Sequence, residues 1–342
     1  MNTANLFSRK GHGVTLLILD ETAESFYPVD PGVKIAQHLL SFGITPEGNV
    51  ITRKVTLLSD VLKLRRIFKQ LQPSLIIASE YPLAAAAVLS GAGKNSRIFS
   101  WEHHHFHELE KNSFWNRVFK LTYPRLSGVI CLNEDEKKLF ANLNAKVLVI
   151  PNFVETPSTR AALDQKAILT VARIAHVKGI DLLVAAATIV LKKHPDWKWK
   201  IIGQGDTGNT VQQVIHGQGI AEQLILQAPR DHNMSAAYEN SSLYVMTSRN
   251  ECFPMTLLEA MSEGLPCIAF DCETGPRHII SNNENGLLIE KENSLELAAA
   301  ISSLIIDDTK RKKMGENALR SVQRFSPEEV YRLWKEKILL DQ

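Results

Sequence analysis

Two cations in the second half of the chain have the type and spacing needed to bind a diphosphate. Arg173 and Lys178 follow the apolar run ILTVA, which predicts a strand, and they precede a helix expected to begin at about Gly179. Cations at a helix amino terminus, together with free backbone N–H groups and the helix dipole, favour a diphosphate. A chance pair of surface cations is the competing interpretation of these two residues taken alone.

Two glutamates with the spacing E-x7-E could hold a sugar and a ribose. Glu251 is predicted in a loop, and Glu259 lies two turns inside a helix expected to begin near Met255. A loop carboxylate can accept hydrogen bonds from sugar hydroxyls, and a helical one can accept both ribose hydroxyls. The unpaired N–H groups of Met255–Leu257 would face phosphates. Such spacing is common on protein surfaces, but Phe253-Pro254 between the glutamates argues against chance.

Two glycines follow a further predicted strand, in the segment KWKIIGQGD. Gly203 and Gly205 would let the backbone approach a ligand closely, and a plain tight turn is the alternative interpretation.

Alternating strands and helices must position these residues. Apolar runs covered on both faces predict parallel sheets with crossover helices, and therefore an α/β fold of two Rossmann-like domains with the ligand site at the strand carboxyl ends. We expect an N-terminal domain over 1–150, a C-terminal domain over 151–325, and a C-terminal helix over 326–342 that packs back on the first domain. The predicted strands are Val14–Leu19, Ser74–Ala78, Arg97–Ser100, Gly128–Leu132, Lys146–Ile150, Ala167–Ala172, Trp199–Ile202, Leu224–Gln227, Leu243–Met246, Pro266–Phe270 and Gly286–Ile289.

Composition indicates a globular protein without a membrane span. The 342 residues are 44% hydrophobic and 22% charged, no window reaches about 18 uninterrupted apolar residues, and the start lacks a secretory pattern. Four cysteines without metal-ligand spacing predict reduced thiols in a cytoplasmic protein. Residues 1–150 hold 18 Lys+Arg against 13 Asp+Glu, which suits an anionic lipid surface or phosphorylated acceptor, or is ordinary scatter. The basic residues are too dispersed to predict a nucleic-acid partner.

Four segments resemble, in order, the donor-binding domain of glycosyltransferase family four, a large retaining GT-B group. They are VARIAHVKGIDLL, IIGQGD, SRNECFPMTLLEAMSEGLPCIAFDCETGP and NGLLIE. The closest similarity is to bacterial enzymes that build lipopolysaccharide, capsule and other envelope glycans. The resemblance implies catalytic roles for Arg173, Lys178 and Glu251, ribose binding by Glu259, and base binding by backbone near Arg230. The remaining implied donor-binding residues are Gly203, Gly205, Phe253, Pro254, Met255, Thr256 and Leu257.

The resemblance implies a retaining hexosyltransferase. A hexose or N-acetylhexosamine would pass from a nucleotide sugar, most commonly a UDP-sugar, to a lipid-linked or polysaccharide acceptor by front-side displacement. No cofactor or metal is expected, because the chain lacks a DxD motif and the two cations would neutralise the leaving group. A catalytically inactive nucleotide-sugar-binding protein is the alternative. A nicotinamide dehydrogenase is disfavoured by the missing G-x-G-x-x-G.

Three features depart from the family pattern. Cys252 replaces a glycine and His278 a glutamate. Asn2–Arg9 and Gly11–Leu17 resemble the family's first helix and second strand, so a preceding strand and glycine-rich loop of about 20–25 residues are missing. A start codon assigned too far downstream, or a truncated gene, would account for this. Loss of that central strand predicts either unpaired backbone or a shifted strand order.

A histidine-rich turn follows a strand of the first half, in SWEHHHFH. It resembles a Trp-Glu-His turn that faces the acceptor and donor sugar in some of these enzymes, which gives His103 a catalytic role in the cleft; a structural histidine is the alternative. Metal binding is disfavoured because neighbouring residues on an extended run point to opposite faces.

Two basic stretches suit a peripheral contact with an anionic membrane, on the inner face of the plasma membrane. Helices with apolar core faces and solvated outer faces are the alternative. The residues concerned are Lys63, Arg65, Arg66 and Lys69 in one helix, and Phe114, Trp115, Arg117, Phe119 and Lys120 in another.

Overall fold

The computed structural model describes residues 1–19, 28–40, 50–108, 113–205, 208–229 and 234–340, without the side chains of 50–54. The chain divides into two compact units. The first contains Met1–Ile150 and Tyr331–Gln342, and the second contains Pro151–Val330. Each unit is described by itself.

The second unit is a six-stranded, fully parallel sheet with crossover helices. Its strands are apolar runs of four or five residues, as expected for a sheet covered on both faces. They are β7 (Ala167–Val171), β8 (Lys198–Ile202), β9 (Leu224–Gln227), β10 (Leu243–Met246), β11 (Cys267–Phe270) and β12 (Gly286–Ile289), numbered after the six strands of the first unit. The helices are α6 (Ile180–Lys193), α7 (Gly208–Gly217), α8 (Ser235–Glu239), α9 (Met255–Ser262), α10 (Ser294–Ile306) and α11 (Asp308–Val322). A further helix, α12 (Pro327–Trp334), begins in this unit, and its residues from Tyr331 belong to the first unit.

The strand order of this sheet, β12-β11-β10-β7-β8-β9, creates a switch point between β7 and β10. From β7 the chain builds outward to β9, then returns to the other side of β7 and builds outward to β12. A crevice at the carboxyl ends of the strands beside such a switch point is the usual ligand position in open α/β sheets. Buried side chains such as Trp199, Leu183 and Ile268 form one apolar core.

The first unit is also parallel, but its strands form two separate sheets. A pair, β1 (Val14–Ile18) with β2 (Val33–Gln37), lies apart from the order β3-β4-β5-β6. The other strands are β3 (Leu75–Ser79), β4 (Arg97–Trp101), β5 (Gly128–Cys131) and β6 (Val147–Val149). The helices are α1 (Asn2–Arg9), α2 (Val50–Leu71), α3 (Tyr81–Leu89), α4 (Ser113–Thr122) and α5 (Glu134–Phe140), and a π-helical turn over Lys335–Leu339 follows α12.

One edge of β1 and one edge of β3 have no strand partner among the described residues. β1 is paired with β2 and β3 with β4. Residues of β1 and β3 line one cavity of about 460 Å³. Within the described ranges, these open edges correspond to unpaired backbone, one of the two expected outcomes. Strand β2 was not predicted, because its residues VKIAQ alternate little and lie mostly exposed.

All four cysteines are buried and free of disulfides. Within the described ranges, none of the helices combines the length and the hydropathy that crossing a membrane requires.

Candidate active site

The predicted residues of the second half gather where β7 and β10 end. Arg173 and Lys178 lie in the loop after β7, and Glu251 lies in the loop after β10. Glu259 lies inside α9, which begins at Met255 as predicted. The sheet order brings these loops together although about 75 residues separate them in the chain.

Lys178 and Glu251 form an ion pair. Lys178 Nζ lies 2.6 Å from Glu251 Oε1, and both side chains are largely buried. Ser248 Oγ donates to the same carboxylate oxygen at 2.7 Å. A buried pair with a second donor is held in one geometry, because each group would be left uncompensated without the other.

Gly179 allows the two loops to approach. Its φ is +61°, and a Cβ there would lie 2.0 Å from the carbonyl oxygen of Thr247. Thr247 Oγ1 in turn donates to the carbonyl of Lys178 at 3.0 Å. Glycine therefore serves both a left-handed backbone and a backbone contact that any side chain would block.

Arg249, which the sequence analysis did not single out, joins the two loops. Its guanidinium donates to both carboxylate oxygens of Asp181, at 2.8 and 2.6 Å, and lies 3.2 Å from Glu292 Oε1. It also donates to the carbonyl of His176 at 2.7 Å. Asp181 and Glu292 raise the pKa of the guanidinium, with the Asp181 hydrogen bond as the largest cause. The planar fork thus fixes the turn that carries Lys178.

Arg173 has an exposed side chain without an ion pair among the described residues. Gly203 and Gly205 support the backbone around it. A Cβ on Gly203 would lie 1.8 Å from the carbonyl oxygen of Ala172, and one on Gly205 2.1 Å from that of Ile174. These glycines hold the loop after β8 against the loop after β7, so their direct role is backbone contact.

Glu259 is held by a buried tyrosine that the sequence analysis also missed. Tyr238 Oη donates to Glu259 Oε2 at 2.9 Å. Burial raises the pKa of the Glu259 carboxyl, and the Tyr238 hydrogen bond acts in the opposite direction. A desolvated carboxylate of this kind gains from each further donor.

The first turn of α9 contributes backbone N–H groups to the site. The residue before the helix, Pro254, makes no side-chain capping hydrogen bond. The N–H groups of Met255, Thr256 and Leu257 have no partner within the helix, as in the first turn of any α-helix. The side chain of Leu257 is fully buried in the core, so its contribution to a site is its backbone.

Other residues of the loop after β10 and of the segment that packs against it contact neighbouring parts of the chain. Phe253 is buried with its ring 5.5 Å from that of Phe325, and Cys252 is buried beside it. Thr274 Oγ1 donates to the carbonyl of Glu251 at 2.5 Å. His278 ends the 3-10 turn that begins at Gly275. Arg230, expected near the base, lies outside the described residues.

His103 lies in the first unit, after β4. Its backbone N–H donates to Glu80 Oε1 at 2.7 Å, and its ring centroid lies 4.5 Å from that of Trp101. Burial lowers the pKa of His103, and Glu80 acts in the opposite direction. Glu80 has a φ of +70°, an unusual conformation for a residue other than glycine.

The neighbouring histidines point to different partners. His104 Nδ1 lies 2.9 Å from Glu80 Oε1, while His105 contacts the buried carboxylate of Glu136. In the part of the chain that the structure describes, no three His, Cys, Asp or Glu side chains are grouped to hold a metal ion.

Two adjoining family models cover most of the chain. The model described as "Glycosyltransferase Family 4" matches residues 1–157, and the model described as "Glycosyl transferases group 1" matches residues 154–321.

Two relatives align with nearly the whole chain. An "Uncharacterized glycosyltransferase" of Haemophilus influenzae is 27% identical over 98% of this chain and 93% of its own length. The "Amylovoran biosynthesis glycosyltransferase AmsD" of Erwinia amylovora is 27% identical over 97% of this chain and 92% of its own.

Solved structures share the fold. A sucrose-phosphate synthase of Thermosynechococcus elongatus matches with a TM-score of 0.81 and 17% identity over 100% of this chain and 91% of its own. Anabaena Alr3699/HepE in complex with UDP matches with a TM-score of 0.74 and 18% identity, over 90% and 86%. These structures show that the fold is GT-B. The two family models together match residues 1–321, and with the named relatives they show that the chain belongs to the glycosyltransferases of family four and is, by enzyme class, a hexosyltransferase.

Proposed function

We propose that the chain transfers a hexose or N-acetylhexosamine from a UDP-sugar to an envelope-glycan or lipid-linked acceptor, with retention of anomeric configuration. The observation that carries this proposal is the Lys178–Glu251 ion pair at the switch point of the second sheet. It supplies a cation for the leaving diphosphate and a carboxylate for sugar hydroxyls at the same place.

The proposed reaction is a front-side displacement. The acceptor oxygen forms a bond to the anomeric carbon on the face from which the diphosphate departs, and the bond between that carbon and the phosphate oxygen breaks. The acceptor proton passes to an oxygen of the departing β-phosphate, so no protein base is required. Glu251 orients the sugar hydroxyls, and His103 contacts the acceptor or the donor sugar.

Positive charge from the chain supports a reaction without a metal ion. Arg173 and Lys178 would neutralise charge developing on the diphosphate, as a divalent cation does elsewhere. The N–H groups in the first turn of α9 and the dipole of that helix would add to this effect.

The choice of UDP and of an envelope glycan rests on the named relatives. One relative is named for amylovoran biosynthesis, and one solved neighbour is a complex with UDP. The base would contact backbone near Arg230.

Binding and product analysis test the proposal. UDP should stabilise the folded chain against heat more than GDP, ADP or NAD, and this shift should be lost in Lys178→Ala and Glu259→Ala. With a turned-over UDP-sugar, the ¹H coupling of the new anomeric proton should match that of the donor. An inverted product, or a trapped glycosyl-enzyme, would contradict front-side displacement.

A peripheral membrane position on the cytoplasmic side is part of the proposal. On α2, Val55, Leu58 and Leu62 lie exposed at a spacing that places them on one face. Further along α2, the side chains of Arg65, Arg66 and Lys69 are exposed, while Leu64 and Ile67 face the core. An apolar patch followed by cations suits anionic lipid headgroups. On α4, Phe119 is buried, so that predicted membrane residue belongs to the core instead.

A catalytically inactive binding protein is the second candidate. The strand edges of β1 and β3 favour it, because the described residues of the first unit form two separate sheets. Turnover of any UDP-sugar would exclude it, whereas UDP binding without turnover would support it.

A further inference from the structure

Tyr238 occupies a position that a packing role alone does not explain. It lies in α8, the short helix that precedes β10, and its ring is 2% exposed. Its hydroxyl donates to Glu259 Oε2 at 2.9 Å, and the carbonyl of Thr256 lies at 3.5 Å. The buried hydroxyl of Tyr238 thus binds one carboxylate oxygen of Glu259, a residue of the candidate site.

The other carboxylate oxygen of Glu259, Oε1, has no hydrogen-bond partner among the described residues, and the residue is partly exposed. A carboxylate can accept several hydrogen bonds, so Oε1 remains available to a ligand. Burial already raises the pKa of this carboxyl. Glu259 is therefore anchored at one oxygen and ready to accept at the other.

We propose that Tyr238 is a positioning residue for a ribose: it anchors Oε2 of Glu259 so that Oε1 accepts hydrogen bonds from the 2′- and 3′-hydroxyls. This inference rests on the proposed function, because it takes a nucleoside diphosphate as the ligand. It adds a specificity, namely selection of ribonucleotides over 2′-deoxyribonucleotides by a carboxylate that cannot rotate away.

The physical argument concerns side-chain freedom. A glutamate has three rotatable bonds, and fixing them lowers the entropy that ligand binding must otherwise remove. A fixed, largely desolvated carboxylate discriminates between ligands, because a bound ligand without the matching hydroxyl covers Oε1 and leaves it without a hydrogen bond. Without Tyr238, the carboxylate would turn toward other donors or water, and a missing hydroxyl would cost little.

The chain offers a matched control in Tyr244. This tyrosine is also buried, and its ring centroid lies 6.1 Å from that of Tyr238. Its hydroxyl donates to Thr256 Oγ1 at 2.8 Å, with no hydrogen bond to Glu259. Tyr244→Phe therefore removes a neighbouring buried hydroxyl and leaves the anchor of Glu259 intact.

The experiment compares UDP with 2′-deoxy-UDP by isothermal titration calorimetry on the full chain, Tyr238→Phe and Tyr244→Phe. The wild type should bind UDP about tenfold more tightly than 2′-deoxy-UDP, the size of one hydrogen bond to a charged group. In Tyr238→Phe this preference should fall to within about twofold, mainly through weaker UDP binding. Tyr244→Phe should retain the full preference.

A double-mutant comparison isolates the contact. In a Glu259→Gln background, Tyr238→Phe should not change the UDP preference further, because the two residues act as one unit. Glu259→Asp keeps the charge, but its shorter side chain no longer reaches the hydroxyl of Tyr238. This variant should therefore lose the preference for UDP over 2′-deoxy-UDP, as Tyr238→Phe does.

The outcomes separate this inference from the function on which it rests. An undiminished preference in Tyr238→Phe, or an equal loss of affinity for both nucleotides, would overturn the positioning role while leaving the proposed function intact. A folded wild type that binds neither nucleotide would overturn the proposed function and the inference with it.

Discussion

Lys178 Nζ lies 2.6 Å from Glu251 Oε1, so the cation of the candidate site is paired with a carboxylate of the same site. A diphosphate entering the crevice must compete with Glu251 for the ammonium group. The pair keeps both side chains in place before binding, at the cost of part of the cation's attraction for phosphate.

Substitution of Lys178 should therefore lower the affinity for UDP, whereas substitution of Glu251 should not. Lys178→Ala should weaken UDP binding by about 10- to 100-fold, since a charge-assisted contact is lost. Lys166→Ala removes a cation that pairs with Asp196 on the surface of the same unit, and it should leave UDP affinity unchanged. Titration calorimetry at fixed ionic strength measures the UDP affinity of both variants. An equal loss of affinity in the two would show that Lys178 does not bind the diphosphate.

Glu251→Gln should separate binding from turnover. It frees Lys178, so UDP should bind as tightly as to the wild type or more tightly. The rate of sugar transfer should fall by about 100-fold or more, because the carboxylate no longer orients the sugar hydroxyls. Parallel weakening of UDP binding in this variant would argue that Glu251 serves the diphosphate indirectly.

Arg249→Ala should disturb the site through its loops. Loss of the contacts to Asp181, Glu292 and the His176 carbonyl should weaken UDP binding by about tenfold, since the turn carrying Lys178 is released. Arg277→Ala removes an exposed arginine that pairs with Asp271, and it should have little effect. The comparison needs UDP affinities and urea midpoints for both variants. If the two variants behave alike, Arg249 has no special role.

Gly203→Ala should destabilise the second unit. The added Cβ would lie 1.8 Å from the Ala172 carbonyl oxygen, which requires backbone movement. We expect a loss of about 2–4 kcal/mol in the free energy of unfolding. Gly217→Ala is the control, since nothing lies within 4 Å of its Cβ, and its unfolding free energy should change by less than about 1 kcal/mol. Urea unfolding with a fixed m-value measures both.

Leu58→Glu should weaken binding to anionic vesicles. The side chain is 64% exposed on α2, so a charge there disturbs lipid contact without touching the core. Leu295→Glu, at a 73% exposed leucine of α10 in the other unit, should bind vesicles as the wild type does. Co-sedimentation with phosphatidylglycerol vesicles, repeated with neutral phosphatidylcholine, gives the comparison. If both variants bind anionic vesicles equally well, the exposed face of α2 does not contact the membrane.

The sequence was most informative where a strand, a loop and a helix follow each other closely. It predicted the start of α9 at Met255 and the helical position of Glu259. It missed Arg249 and Tyr238, because their partners are fixed by sheet order and burial. Arg249 reaches Asp181 across 68 positions, and Tyr238 reaches Glu259 across 21. Neither spacing carries a local pattern.

The separation of the first unit into two sheets has a consequence for handling the protein. Along β1 and β3, the edges without a strand partner among the described residues present amide and carbonyl groups that can bond to water or to another strand. Amide hydrogen exchange should therefore be faster along β1 and β3 than along the central strands β7 and β10 of the second unit. The same edges can pair with those of another molecule. The protein should therefore begin to self-associate at a lower concentration than its surface charge alone would predict.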